Sequence, residues 1–327
     1  MKVLVCGGAG YIGSHTVKSL LREGFEVVIF DNFSSGREEL VVGGEVIRGD
    51  LDEKESIRRV FGSQKIEAVL HFASLIQVGE SYLNPQRYYT HNLSTSLNLL
   101  ETMLEAGVKT FIFSSSASVY GTPLEIPITE SHPLNPINPY GYTKLFVERI
   151  LQDYGKAYGL KFISLRYFNA AGADPEAELG ELHNPETHLV PSILLFLLGK
   201  KERFDVYGTD FPTPDGTAVR DYIHVTDLAE AHVLALRKLL ASPVSDFINL
   251  GASRGYSVLE VIKKAEEVTG RKVSFDAKPE RLGDVPVLLA SRKKALQNLG
   301  WEPRYSDLGT IVESAWRWHR KLAKNSV

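Results

Sequence analysis

A tyrosine and a lysine four positions apart have the residue types and spacing of a general base. Tyr140 and Lys144 form the pattern YxxxK in a stretch with helical periodicity. Residues four apart share one helix face, so the ammonium is expected to lie near the phenol. A phenol ordinarily titrates near pH 10, and a nearby positive charge favours its ionised form. The pair therefore predicts a base that works near neutral pH.

The surrounding residues fit a catalytic role for this pair. Asn138 and Pro139 are typical of an N-cap and a first helical turn, which puts Tyr140 at the start of its helix. Ser116 is predicted to end the preceding strand, in the segment FSSSASVYG. Its hydroxyl is expected to bridge Tyr140 and a substrate hydroxyl. The competing interpretations are a chance surface pair and simple capping of the strand end by the serines.

Other catalytic and metal-binding patterns are missing from the sequence. It contains no HExxH and no GxSxG segment, and its nine histidines are scattered along the chain. His71 is expected to pack near a strand end rather than to bind a metal. No metal site is predicted.

Three glycines predict a dinucleotide site at the N-terminus. Gly7, Gly10 and Gly13 have the spacing GxxGxxG, directly after a predicted strand and at the start of a predicted helix. Glycines in this context allow a sharp turn, a close approach of the backbone to a pyrophosphate, and tight packing of the helix on the strand. The positive end of the helix dipole then faces the diphosphate. A tight turn without a cofactor is the alternative, and the complete βαβ unit argues against it.

An acidic residue at the end of the second predicted strand indicates which dinucleotide binds. Asp31 stands about twenty residues beyond the glycines, where a carboxylate binds the adenosine ribose hydroxyls and repels a 2′-phosphate. NAD is therefore predicted over NADP, although Arg37 in the following loop could argue otherwise. Asp50 and Leu51 follow the third predicted strand and are expected to flank the adenine. The cationic nicotinamide ring would further favour ionised Tyr140.

The first half of the chain alternates apolar strands with helices, which predicts a doubly wound parallel α/β (Rossmann-type) sheet. The long stretch 81–107 is predicted to be one helix, and the segment 204–225 is predicted to be loop-like. We expect an NAD-binding domain over 1–168, with returns from about 217–250. A smaller C-terminal α/β substrate domain is expected over 169–327. The predicted strands are KVLVC, EVVIFD, GEVIRGD, EAVLHFA, KTFIFSSS and KFISLRYF.

Composition limits the partners and the compartment. The chain has 327 residues, 43% of them hydrophobic, and a formal net charge of -3, which gives no electrostatic reason to expect nucleic acid or a membrane as partner. Cys6 is the only cysteine, so no intrachain disulfide can form. The longest apolar run, 189–198, is about half the length needed to span a bilayer and predicts a buried helix. With no signal-peptide core at the N-terminus, a cytoplasmic location is expected.

Segments along nearly the whole chain resemble the extended short-chain dehydrogenase/reductase family, and specifically its nucleotide-sugar epimerase branch. The resemblance implies one tightly held NAD and the interconversion of UDP-galactose and UDP-glucose. Hydride would pass from C4 of the hexose to NAD, the 4-keto sugar would rotate, and hydride would return to its other face. It also implies a homodimer formed by the helices from Ser81 and Tyr140. The matching segments are GGAGYIGSHT, FDN, HFA, VGES, FIFSSSASVYG, PYGYTK, LRYFNAAGA, DGTAVRDYIHVTDLA and RLGDVP.

The same resemblance implies roles for individual positions. Tyr140, Lys144 and Ser116 would be catalytic, with Ser116 and Tyr140 also touching the hexose. Cofactor contacts would come from Gly7, Gly10, Tyr11, Ile12, Gly13, Asp31, Asn32, Asp50, Leu51, Phe72, Ala73, Asn92, Ser114, Tyr140, Lys144 and Tyr167. Substrate contacts would come from Asn169, Arg220 and Arg281 on the diphosphate, Asp284 on the uridine ribose, and Leu189 and Tyr207 around the uracil.

Two positions depart from the family pattern and leave details open. Ile76 stands where some epimerases have a lysine near the cofactor. Leu288 stands where the size of the side chain helps to decide whether an N-acetyl group fits on the hexose.

Three other functions remain as alternatives. They are a UDP-N-acetylhexosamine or UDP-glucuronate 4-epimerase, a 4,6-dehydratase, and a non-catalytic NAD-sensing protein on the same fold. A dehydratase is expected to have carboxylates just after the serine, where this chain has Ala117, Ser118 and Val119.

Overall fold

The computed structural model describes residues 1–325 and contains the predicted parallel α/β sheet. Seven strands pair in the order β10-β6-β5-β4-β1-β2-β3, and every pairing in this sheet is parallel. The strands of this sheet and of the smaller sheets, in chain order, are β1 (Lys2–Cys6), β2 (Glu26–Asp31), β3 (Glu45–Arg48), β4 (Ala68–His71), β5 (Thr110–Ser116), β6 (Lys161–Tyr167), β7 (Asn169–Ala171), β8 (Asp205–Tyr207), β9 (Val219–His224), β10 (Asp246–Leu250), β11 (Gly255–Ser257), β12 (Asp276–Lys278) and β13 (Val287–Leu288).

Helices cover both faces of this sheet, because successive residues of a strand point to opposite faces. Val3 and Val5 of β1 pack in one apolar cluster with Leu236, and Leu4 packs in a second cluster with Leu99. The doubly wound fold is therefore confirmed. The helices are α1 (Tyr11–Arg22), α2 (Lys54–Ser63), α3 (Val78–Leu83), α4 (Pro85–Glu105), α5 (Pro139–Tyr158), α6 (Leu189–Leu197), α7 (Val225–Ala241), α8 (Val258–Thr269), α9 (Lys293–Leu299) and α10 (Leu308–Asn325).

The helix that carries the YxxxK pair begins and ends at residues suited to those positions. The Asn138 side chain accepts a hydrogen bond of 2.7 Å from the Gly141 N–H, and Pro139 is the first helical residue. Gly159 closes α5 with a φ of 73°, in the left-handed region that glycine adopts without strain. These caps fix the position of Tyr140 in the first turn.

Two of the predicted elements are wrong. The single helix over 81–107 is broken at Asn84, whose φ of -130° and ψ of 59° are not helical, because the residue before a proline is driven out of the α region. The loop predicted over 204–225 contains β8 and β9. Strand β9 is the centre of a second sheet with the order β11-β9-β13, and β7 also pairs with it. The prolines and glycines of that segment lie in the connection between β8 and β9. The prediction was wrong because it extended their turn-forming character to the strands on either side.

The chain crosses between its two parts more than once. After β9 has formed part of the second sheet, β10 returns to pair with β6 at the edge of the seven-stranded sheet. A separate apolar cluster under the second sheet joins α6, α8 and α10 through Ile193, Val261 and Ile311. The apolar run of α6 is thus a buried helix. Within residues 1–325, no helix has the length and apolar character needed to cross a bilayer.

Candidate active site

Tyr140 and Lys144 lie one turn apart near the start of α5, and both side chains are buried. The Lys144 Nζ lies 5.7 Å from the centroid of the Tyr140 ring. It donates hydrogen bonds to Ser74 Oγ at 2.9 Å and to the Ser114 carbonyl at 2.8 Å. The carboxyl ends of β4 and β5 therefore hold the ammonium beside the phenol.

Burial governs the protonation of both groups. It raises the pKa of Tyr140 to about 12, and the hydroxyl of Ser116 offsets only part of that rise. Burial lowers the pKa of Lys144 to about 7, against the attraction of the buried carboxylate of Glu148 one turn further along α5. The chain by itself thus keeps the phenol protonated at neutral pH. Its use as a base requires further positive charge close to the ring.

The serine cluster lies where the sequence predicts it. Ser116 is the last residue of β5, and its Oγ accepts a hydrogen bond of 3.1 Å from the Ser118 N–H. Ser114 is hydrogen-bonded through its hydroxyl to that of Tyr167 at the end of β6. Since the carboxyl ends of neighbouring parallel strands meet at one edge of the sheet, these hydroxyls share the edge with Tyr140.

The glycine loop after β1 leaves no room for side chains at two positions. Gly7 has a φ of +81°, and a Cβ on it would lie 2.6 Å from the Ala73 nitrogen. A Cβ on Gly13 would lie 2.1 Å from the Gly7 carbonyl oxygen. Gly10 is the N-cap of α1 and provides no side-chain cap, which leaves the N–H groups of Tyr11 and Ile12 for a ligand. This arrangement fits a dinucleotide pyrophosphate.

The residues predicted near the adenosine occupy the ends of the next two strands. Asp31 is buried at the end of β2 and accepts hydrogen bonds from the Ala9 and Phe33 N–H groups at 3.0 and 2.9 Å. Burial raises its pKa despite these bonds. The Asn32 amide donates to Asp50 at 2.8 Å, so the structure brings the two positions together. Three more of the predicted cofactor contacts lie along this edge of the sheet: Leu51 follows β3, and Phe72 and Ala73 follow β4.

Asn92 of α4 connects two parts of the cofactor edge. Its amide donates to the Leu75 carbonyl and to Thr143 Oγ1, both at 3.1 Å, and accepts from the Leu75 N–H at 2.8 Å. Ser74 and Thr143 belong to the site but were not predicted from the sequence. The position of Ser74 directly after the strand EAVLHFA was the available signal.

Four of the predicted substrate residues form a second cluster. Arg220 Nη2 lies 3.8 Å from Asp284 Oδ1, and Arg281 Nε lies 3.4 Å from Asp284 Oδ2. The Arg281 guanidinium stacks 4.7 Å from the centroid of the Tyr207 ring. Arg220 is nearly buried and burial lowers its pKa, whereas Arg281 is exposed. Two guanidinium groups in one place suit a diphosphate.

The other predicted substrate positions belong to the second sheet and to the helix packed under it. Asn169 begins β7 and pairs with Tyr222 of β9, two residues beyond Arg220. Leu189 begins α6 and packs against the apolar cluster under the second sheet. Leu288 of β13 pairs with Arg220 of β9, so Leu288 lies beside the strand that carries this arginine. Ile76 is exposed.

The prediction that potential metal ligands are not clustered is wrong. Ligand atoms of Glu181, His183, Glu186 and His188 all lie within 4.8 Å of one another in the loop before α6. Their spacing matches none of the motifs considered above. His71, by contrast, is buried beside Ser96 at 3.1 Å, and burial lowers its pKa to about 3, as expected for a packed histidine.

This chain is similar to known enzymes along nearly its whole length. Residues 3–251 match the model of the NAD dependent epimerase/dehydratase family. A UDP-glucose 4-epimerase of Lacticaseibacillus casei is 46% identical, over 98% of this chain and 97% of that protein. The crystal structure of UDP-glucose 4-epimerase from Brucella ovis in complex with NAD is similar, with a TM-score of 0.94 and 45% identity over 97% of each chain. That from Bifidobacterium longum in complex with NAD+ and UDP has a TM-score of 0.93 and 40% identity over 98% of each chain.

Proposed function

This chain belongs to the NAD dependent epimerase/dehydratase family, and we propose that it interconverts UDP-galactose and UDP-glucose by inverting carbon 4 of the hexose. The observation that carries the proposal is the placement of Tyr140, Lys144 and Ser116 at the sheet edge that also holds the glycine loop. The near-complete coverage of UDP-glucose 4-epimerases at 40–46% identity supports the substrate class.

The residues present fit NAD as the cofactor. Gly7 and Gly13 form a cradle that a Cβ would fill, and the uncapped start of α1 provides N–H groups for the diphosphate. Asp31 lies where it would bind the adenosine ribose. When bound, NAD would accept a hydride from carbon 4 of the sugar and return it to the same carbon.

Tyr140 acts as the base that takes the proton of the sugar 4-hydroxyl and later returns it. The pKa of Tyr140 is too high for this task in the chain alone, so the positive charge of the oxidised nicotinamide would be needed to shift it toward ionisation. Ser116 orients the sugar hydroxyl toward the phenol. Hydrogen bonds to Ser74 and Ser114 hold the Lys144 amino group beside the ring.

The second cluster anchors the nucleotide while the sugar turns. Arg220 and Arg281 bind the diphosphate with Asn169, Asp284 binds the uridine ribose, and Leu189 and Tyr207 border the uracil. Binding energy from these remote groups holds the ligand during rotation of the 4-keto sugar about its phosphate linkage. Inversion needs an anchored nucleotide and a mobile sugar. The 4-keto sugar must turn its other face to the nicotinamide while the ligand stays bound.

Turnover without added cofactor tests the proposed function. The purified chain is expected to convert UDP-galactose to UDP-glucose with no NAD supplied, because the cofactor is regenerated in every cycle. Anion-exchange chromatography of the nucleotide sugars measures the product, and UDP alone is expected to inhibit competitively. UDP-N-acetylgalactosamine and UDP-glucuronate in parallel reactions test the alternative substrates. Conversion of either one, without conversion of UDP-galactose, would contradict the proposal.

The 4,6-dehydratase alternative is not favoured by the residues around the serine. Ala117 to Val119 form a short 3-10 helix after β5, and both Ala117 and Val119 are buried. The segment offers no carboxylate beside Ser116 for the elimination of water.

We also propose that the protein is a homodimer formed by α4 and α5. An aromatic cluster crosses these helices, with ring centroids of Tyr89 and Tyr142 at 6.2 and 6.0 Å from that of Phe146. Phe146 is 42% exposed, and with the two tyrosine rings beside it forms an aromatic surface that spans both helices. A second copy related by a two-fold axis would cover it and form a four-helix interface.

A charge at Phe146 tests the dimer. Phe146→Glu is expected to halve the mass found by light scattering to that of one chain, 36.3 kDa, because a carboxylate would be buried against its own symmetry mate. Leu240→Glu on α7 is the matched control, since Leu240 is equally exposed, and it is expected to stay dimeric. A wild-type protein that already has the mass of one chain would refute the proposal.

A further inference from the structure

The loop between β7 and α6 gathers four side chains with metal-ligating atoms within eight residues. Glu181, His183, Glu186 and His188 follow the pattern ExHxxExH. Their ligand atoms all lie within 4.8 Å of one another. His183 Nδ1 is 2.9 Å from Glu181 Oε1, and the Nδ1 atoms of both histidines are 3.9 Å from Glu186 oxygens. The two imidazoles and two carboxylates therefore face one common point.

The two carboxylates of this loop are buried without a permanent positive charge to balance them. The side chains of Glu181 and Glu186 are only 3% and 4% exposed. Among the ion pairs of the described residues, their side-chain partners are His183 and His188, with no lysine or arginine within 4.0 Å. Buried charges are normally paired or bound to a metal. Two carboxylates facing two imidazoles provide a place for a divalent cation.

A neighbouring acidic cluster shows the contrast. Asp174, Glu176 and Glu178 also lie close together, but the Nζ of Lys18 is within 2.8 to 3.1 Å of all three. The ammonium occupies the position that a cation would take. The carboxylates of Asp174, Glu176 and Glu178 are thus neutralised by a lysine. The carboxylates of Glu181 and Glu186 face imidazoles instead.

From this geometry we infer that Glu181, His183, Glu186 and His188 bind one divalent transition-metal ion of the zinc class. Imidazole nitrogen and carboxylate oxygen are ligands that zinc accepts, and four protein ligands make a closed tetrahedral site. Bonds of about 2.0–2.1 Å place ligand atoms about 3.3 Å apart, close to the spacing in the loop. The hard cations Mg²⁺ and Ca²⁺ prefer oxygen ligands throughout, so the two imidazoles disfavour them.

The position of the site suggests what the metal does. The ring of His183 packs edge-on against Tyr11 at the start of α1, with centroids 6.3 Å apart. His188 is the N-cap residue of α6 and directly precedes Leu189. A metal in the loop would therefore tie the cofactor-binding helix to the first turn of a helix in the other part of the molecule. Its role is structural, because it joins α1 to α6.

Zinc binding to the chelator-treated, untagged full-length protein tests the inference. Equilibrium dialysis against ZnCl₂ is expected to give one ion per chain. His188→Ala is expected to weaken that binding at least tenfold and, because the His188 side chain is 45% exposed, to leave the fold intact by circular dichroism. Cobalt substitution is expected to give the intense visible absorption of a tetrahedral site. Zinc is expected to raise the melting temperature of the wild type by a few degrees through preferential binding to the folded state.

The matched control is His91→Ala. His91 is a partly exposed histidine 3.0 Å from a single carboxylate, Asp52, and lacks the other two ligands. Its removal is expected to leave zinc stoichiometry and affinity unchanged. Equal binding by the His188→Ala and His91→Ala variants would indicate nonspecific association and overturn the inference. A wild-type protein that takes up no stoichiometric zinc and shows no shift in melting temperature would overturn it as well.

Discussion

Tyr140→Phe is expected to lower kcat for UDP-galactose about 10³-fold, within the range by which general acid–base groups accelerate reactions. The substitution removes the phenolic oxygen and keeps the ring that packs beside Lys144. The glycine loop and Asp31 are untouched, so the purified variant is expected to keep its full content of NAD. Initial rates with UDP-galactose, together with the absorbance of NAD released on denaturation, measure both effects.

Tyr158→Phe provides the control for this change. Tyr158 is the last residue of α5 and is exposed, and its hydroxyl is far along the helix from the sheet edge. Its loss is expected to change neither kcat nor cofactor content. A Tyr140→Phe variant with the kcat of the wild type would show that another group is the base.

Gly13→Ala is expected to remove NAD from the purified protein and, with it, all turnover. The added Cβ would lie 2.1 Å from the Gly7 carbonyl oxygen, about half of a normal contact distance, and that neighbour is rigid backbone. Either the glycine loop or α1 has to move, and each carries N–H groups that are proposed to bind the diphosphate. The NAD content per chain and the melting temperature are the measurements.

Gly62→Ala distinguishes this effect from an ordinary glycine substitution. Gly62 lies in α2, and a Cβ there would meet no atom within 4 Å. Alanine also favours the helix, by up to about 1 kcal/mol. This variant is expected to bind NAD fully and to melt no lower than the wild type. Full NAD content in Gly13→Ala would contradict the proposed cofactor loop.

The parts of the site that depend on local sequence could be predicted from the pattern of residues alone, whereas the distant substrate positions came only from the family resemblance. The positions of Gly7, Gly10 and Gly13 follow from one strand, one turn and one helix in succession. The pairing of Tyr140 with Lys144 requires only that α5 be helical, and the caps at Asn138 and Pro139 are readable in the sequence. In each case the geometry is set within a few residues.

The parts that depend on distant contacts were not predictable in the same way. The hydrogen bonds that fix Lys144 come from Ser74 and Ser114, on two different strand ends. Asn92 reaches Thr143 only because α4 packs against α5. The cluster of Glu181, His183, Glu186 and His188 was missed because its pattern has no familiar spacing. The strand β9 was missed because its burial comes from strands far along the chain.

The return of the chain to its first sheet has a consequence for synthesis on the ribosome. The sheet lacks its last strand until Leu250 has emerged, so β6 keeps an unpaired edge while about eighty further residues are translated. An N-terminal fragment that stopped at Tyr167 would retain this open edge, which invites association with other chains. The first sheet is therefore sealed only after β7, β8 and β9 of the other part have been translated, and the protein cannot mature as two independent halves.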